Sequence, residues 1–114
     1  MSRSRSAVEA RWTNAAPVFA ALGDTTRLRV VARLCFDGPQ SITRLSEGAR
    51  VTRQAITKHL HALADAGLVR DRRHGRERIW ELEPGALAIP RRCLDQISEQ
   101  WDAVIGRLKA FVEE

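Results

Sequence analysis

The chain has 114 residues, 44% of them hydrophobic and 29% charged, a length that makes one domain with a modest core helped by a partner subunit. No apolar run approaches the roughly 18 residues that span a bilayer, and the opening stretch lacks the apolar region of a secretory signal. Its two cysteines, Cys35 and Cys93, form neither a CxxC pair nor a disulfide scaffold. A cytoplasmic protein with reduced thiols and no membrane partner is therefore expected.

The net charge is +5, from 19 Lys and Arg against 14 Asp and Glu, and it is concentrated in one stretch. Residues 50 to 78 hold eight basic residues against three acidic, whereas the remainder holds 11 against 11. A balanced protein with one basic face has the electrostatic footprint of a nucleic-acid binder.

Residues 1–9 are Ser/Arg-rich with little to bury and read as a flexible tail, leaving 10–114 as the folded domain. Arg11 to Leu22 carries Trp12, Ala16, Phe19 and Leu22 at helical spacing, with Gly23 as a stop. Asp24 caps a second helix whose inward face is expected to be Leu28, Val31, Leu34 and Cys35, ending at Asp37-Gly38-Pro39. Ser41 caps a short third helix with Ile42, Leu45 and Ala49 inward.

Thr52 caps a fourth helix, residues 52–66, in which Ile56, Leu60 and Leu63 face the core. That phase aims Gln54, Thr57, Lys58 and His61 at the opposite face, with Arg53 also reaching outward. Gly67 ends the helix. Val69 to His74 and Glu77 to Leu82 then read as two strands about Gly75, a hairpin over 69–82 anchored by Val69, Ile79, Trp80 and Leu82. Arg72, Arg73, His74, Arg76 and Arg78 crowd its tip. After Pro84-Gly85 and Pro90, a last helix carries Leu94, Ile97, Trp101, Val104, Leu108 and Phe111 in a heptad-like seam.

The order is thus about five helices plus a two-stranded wing: mainly α with a small β-hairpin, a winged helix-turn-helix. Trp12 and Phe19, added to the seam of Leu94, Ile97, Trp101, Val104 and Leu108, make more apolar surface than so small a domain can hide. A homodimer built on the first and last helices is expected.

Four motifs in gap-free order carry a resemblance to a known family. They are Ala21-Leu-Gly-Asp-Thr-Thr-Arg-Leu28, Ile42-Thr-Arg-Leu45, Val51 to Leu60 continuing to Leu63 and Ala66-Gly-Leu68, and the wing Arg73-His-Gly-Arg76 with Trp80-Glu-Leu82. The chain resembles the ArsR family of small winged-helix repressors from about Phe19 to the end. The resemblance implies a dimer that binds an operator, blocks transcription and lets go when an effector arrives. It places Thr52 to His61 on a recognition helix and Arg72 to Arg78 on the wing.

A helix fits the major groove, where Gln54 suits adenine, Arg53 or Lys58 suits guanine, and Thr57 suits a phosphate or a thymine methyl. A basic hairpin beside it suits the minor groove or its phosphates. The expected DNA-binding set is Thr52, Arg53, Gln54, Thr57, Lys58, His61, Arg72, Arg73, Arg76 and Arg78, on an inverted-repeat operator of double-stranded DNA.

Relatives that sense metals use a Cys-x-Cys pair at positions held here by Ser41 and Thr43, or Asp and His on the last helix, whereas His74 is the last histidine of this chain. No metal site and no cofactor are expected. Some relatives join a cysteine of the second helix to one of the last, and Cys35 and Cys93 lie on those elements. An apolar face would leave Cys35 an ordinary buried thiol, which makes a redox-responsive repressor the alternative reading. A small apolar effector would fit the dimer interface, although no polar anchor in the sequence identifies one. An interaction module without specific DNA binding would need an apolar or acidic outer face on the fourth helix, and an enzyme would need a nucleophile and base, a phosphate loop or a metal site. The sequence carries none of these.

Overall fold

The computed structural model describes residues 2–113, with their side chains from residue 6 onward. The elements are α1 (Ser2–Leu22), α2 (Thr25–Asp37), β1 (Gln40–Ser41), α3 (Ile42–Ser46), α4 (Arg53–Asp65), β2 (Val69–His74), β3 (Glu77–Leu82) and α5 (Ala88–Glu113). This is the mainly α, winged helix-turn-helix plan read from the sequence, with both hairpin strands where they were expected. The first helix differs: it begins at Ser2 rather than Arg11, so the stretch read as a tail is helical from its second residue, and Met1 lies outside the described residues. Two compact units divide the chain, one spanning Ala16–Ala86 and one drawn from its two ends. The division falls beside Pro17, whose ring removes one hydrogen bond from α1.

In the Ala16–Ala86 unit the core is built from Val18 and Ala21 of α1, Val30 and Leu34 of α2, Leu45, then Ile56, Leu60 and Leu63 of α4, closed by Leu68, Val69 and Trp80. Side-chain caps start the helices as the sequence indicates. Asp24 accepts from the Arg27 N–H at 3.0 Å, Ser41 from Arg44 at 3.2 Å and Thr52 from Ala55 at 3.1 Å. Arg27 also donates from Nε to the Ala21 carbonyl at 2.6 Å, satisfying a last-turn acceptor of α1.

The end of α4 is a Schellman motif. Gly67 sits at φ +78°, its N–H bonds the Ala64 carbonyl at 2.9 Å, and the Leu68 N–H bonds the Leu63 carbonyl at 2.9 Å. Leu63 and Leu68 are both buried, so the helix end and the start of the hairpin are clamped together. The strands pair antiparallel from Val69↔Leu82 to His74↔Glu77, and Gly75 at φ +64° takes the first of two loop positions, as a type II′ turn requires.

Three expectations are corrected here. The inward face of α2 is Val30 and Leu34 with Val31, while Leu28 is 52% exposed and Cys35 is exposed. Leu28 and Cys35, seven apart, share the other face, and a helix apolar on two sides leaves its phase undecided until a neighbour covers one. Ala49 lies beyond the end of α3 at Ser46 and is exposed. The sheet has a third strand, β1, pairing Gln40↔Trp80 and Ser41↔Ile79 in the order β1-β3-β2. Gln40 is buried and accepts from Arg33 Nη2 at 3.3 Å, an arrangement that two residues of sequence do not announce.

In the unit made of the chain ends, α5 carries Pro90 in its first turn, where a missing N–H costs nothing. A groove of about 320 Å³ runs between Val8 and Trp12 of α1 and Gln96, Ile97, Trp101 and Val104 of α5.

Candidate nucleic-acid interface

The start of α4 presents a shallow surface lined by Thr52, Arg53, Gln54, Thr57 and Lys58. Burial of Ile56, Leu60 and Leu63 on one side of the helix turns this set outward, and Arg53, Gln54 and Lys58 are exposed. Two of the set have local duties. Thr52 is the N-cap, and the Thr57 hydroxyl donates to the Arg53 carbonyl at 2.9 Å, so Thr57 presents its methyl and lone pairs rather than a proton.

The hairpin's charges are not equivalent. At its root Arg70 bonds Glu81 at 3.1 Å and Glu83 at 3.3 Å, and Arg72 lies 3.4 Å from the same Glu81 carboxylate. Arg78 is paired with Asp71. Arg73 and Arg76 make no ion pair among the described residues. Arg73 also stands directly across from Arg78, and facing like charges are unfavourable unless an anion joins them. The positive potential of the wing is therefore concentrated on Arg73 and Arg76.

His61, expected on the outer face of α4, is exposed, but its ring meets Trp80 of β3 edge-on, with centroids 5.8 Å apart and planes at 85°. Trp80 is buried, so His61 fastens the helix to the wing. His59 is half-buried on the protein side, its Nδ1 4.0 Å from an Asp24 carboxylate oxygen. That carboxyl lies below its ordinary value, chiefly because it accepts from the Arg27 backbone N–H; desolvation opposes this, and the nearby charges of Arg27 and His59 add lesser contributions in the same downward direction.

Two basic residues outside the sequence-based set belong to the same region. Arg44 is exposed in α3 and, with Ser41 and Thr43, lines a hollow shared with Glu77 and Ile79 of the hairpin. Arg70 organises the hairpin root. The cap at Ser41 was the available signal for Arg44, since a side chain in the first turn of a helix clears its neighbours. Arg70 carried none, because its partners are supplied by strand register.

The expected dimer set is largely uncovered. Trp101 is 65% exposed and Leu108 58% exposed, Trp12, Leu94, Ile97 and Val104 are exposed, and Phe19 is half-buried. Cys35 is exposed, against the buried thiol expected there, and Cys93 is buried.

A helix-turn-helix domain model matches residues 22–72. The HTH-type transcriptional regulator Rv2034 of Mycobacterium tuberculosis is 41% identical over 76 residues, which is 67% of this chain and 70% of that protein. An ArsR-like transcriptional regulator from Rhodococcus sp. RHA1 superposes with a TM-score of 0.73 at 36% identity, covering 88% of this chain and 93% of that one. A second crystallised ArsR family transcriptional regulator gives a TM-score of 0.70 at 29% identity over 79% of this chain and 92% of that one. With these matches and an outward basic face on the helix after the turn, the chain belongs to the ArsR family of winged helix-turn-helix, DNA-binding transcriptional regulators.

Proposed function

We propose that the protein is a dimeric repressor that binds an inverted-repeat operator. The recognition helix, residues 52–66, enters the major groove and the wing, 69–82, follows the minor groove or its backbone. The carrying observation is that Arg53, Gln54 and Lys58 stand exposed on α4 while, among the described residues, Arg73 and Arg76 make no ion pair on the hairpin that His61 and Trp80 fasten to that helix. Gln54 suits adenine, Arg53 suits guanine, and the free Thr57 methyl suits thymine. Lys58, Arg73, Arg76 and Arg44 serve phosphates, where position matters and sequence does not.

Dimerisation is supported by the apolar stripe on α5 and by Gln96, whose Oε1 is buried without a donor among the described residues. A second subunit would cover the stripe and supply a donor, since a buried acceptor left without one is costly. Two recognition helices then lie about one DNA turn apart.

Selection of bound duplexes from a random library tests this reading. Recovery of an inverted repeat is the expected result, and no enrichment under any condition would overturn it. Repeating the selection with oxidant addresses the thiol alternative, for which Cys35 is accessible. Enrichment lost only under oxidant, and restored by reductant, would favour a redox-responsive repressor. An arm with added zinc tests the expectation that this metal leaves binding unchanged.

A further inference from the structure

We infer that a cleft between α2 and the turn joining α3 to α4 binds a compact organic monoanion, an aromatic or branched carboxylate. The cleft measures about 440 Å³, within the range of small-ligand sites. Its apolar lining is Val30, Leu45, Val51 and Ile56, three of which are core residues, and the exposed Arg29 and Arg50 border it.

The chemistry of the lining selects the ligand class. Arg33 also borders the cleft, but its guanidinium is committed: Nη1 donates to the Leu45 carbonyl at 2.9 Å, Nη2 to Gln40 Oε1 at 3.3 Å, and Nε lies 4.0 Å from Asp37. Arg29 and Arg50 make no ion pair among the described residues, and Glu47 is the carboxylate on the lining. Two unengaged guanidiniums against one carboxylate leave room for a single added negative charge, and a planar guanidinium matches a carboxylate with two parallel hydrogen bonds. A DNA phosphate would engage the arginines and leave the apolar lining wet. A ligand with an apolar body fills it.

The position gives the site a consequence. Gly48 to Val51 form the turn that sets α4 against α2, and Ile56 is a core residue of α4 itself. Occupancy therefore bears on the aim of the recognition helix. That consequence rests on the DNA-binding reading above, whereas the binding does not.

The test uses 4-fluorobenzoate and its neutral counterpart 4-fluorobenzamide, titrated at millimolar concentration into the full chain without DNA. Fluorine line widths report binding, and protein amide shifts report its place. The carboxylate should shift the Gly48 and Val51 amides, and the benzamide should bind at least about tenfold more weakly, the usual worth of a charge-assisted pair. Arg29→Gln and Arg50→Gln should each weaken the carboxylate by about tenfold with the protein spectrum otherwise preserved. Arg91→Gln, an exposed arginine on α5, should leave it unchanged. Equal affinity for the two probes, shifts confined elsewhere, or indifference to both arginine variants would overturn the inference. So would a duplex of arbitrary sequence shifting Gly48 and Val51 when the carboxylate does not, which would make the cleft a backbone contact. Because the probes are read on free protein, failure to find an operator would leave this result standing.

Discussion

Replacing Arg73 with Gln should make the protein slightly more stable and its DNA binding less sensitive to salt, two effects that the hairpin geometry ties together. Arg73 faces Arg78 directly across the strands, and such like-charge pairs cost about 0.2–1 kcal/mol. Asp71 already offsets part of the Arg78 charge, so relief near the low end, about 0.3 kcal/mol, is expected. In the complex the same residue neutralises a phosphate. Each such contact contributes about 0.9 to the slope of log affinity against log salt, so a dimer losing two should flatten by about 1.8. Arg70→Gln is the comparison: its guanidinium is held by Glu81 and Glu83, so its loss should cost about 0.5 kcal/mol of a half-exposed network and leave the slope nearly unchanged. Fluorescence anisotropy of a selected duplex over a potassium chloride series gives the slopes, and urea unfolding gives the stabilities. An unchanged slope for Arg73→Gln, or equal flattening by both variants, would refute the division of the wing into engaged and available arginines.

Lys58→Ala should weaken binding to all duplexes and flatten the slope by about 0.9 per protomer, and a loss confined to one base position would instead make Lys58 a base reader. Gly67→Ala should cost about 1 kcal/mol, because nothing lies within 4 Å of an added Cβ and only the +78° backbone resists; no loss in urea unfolding would contradict the Schellman end of α4. Trp101→Arg should yield a monomer in sedimentation with loss of tight operator binding, and a dimeric variant would remove the α5 stripe from the interface. Asp24 has its carboxyl held below the ordinary 3.8, so its contribution to stability is present above that value and is lost as pH falls through the depressed one. Asp24→Asn keeps a capping oxygen, and its unfolding midpoint should fall less steeply than the parent's below pH 3.8; parallel profiles would remove the cap's role in acid sensitivity.

Local chemistry was readable where a residue's role depends on its own neighbours in sequence. The caps at Asp24, Ser41 and Thr52, the stop at Gly67 and the hairpin about Gly75 follow from side chains or backbone freedom acting within four residues. The outward set on α4 follows as well, because Ile56, Leu60 and Leu63 define one apolar face without ambiguity. On α2 the apolar residues lie on two sides, and packing against α4 and the sheet, not periodicity, decided that Val30 and Leu34 turn inward while Leu28 and Cys35 stay out.

Only the tertiary structure could sort the wing's arginines, since Arg70, Arg72 and Arg78 find carboxylates through strand register, whereas Arg73 and Arg76 find none among the described residues. The same holds for β1, for the His61–Trp80 contact and for the cleft at Arg29 and Arg50, each joining residues from separate elements. Sequence spacing determines which face a residue takes on its own helix or strand. What that face meets depends on contacts between distant segments, and those exist only once the chain has closed on itself.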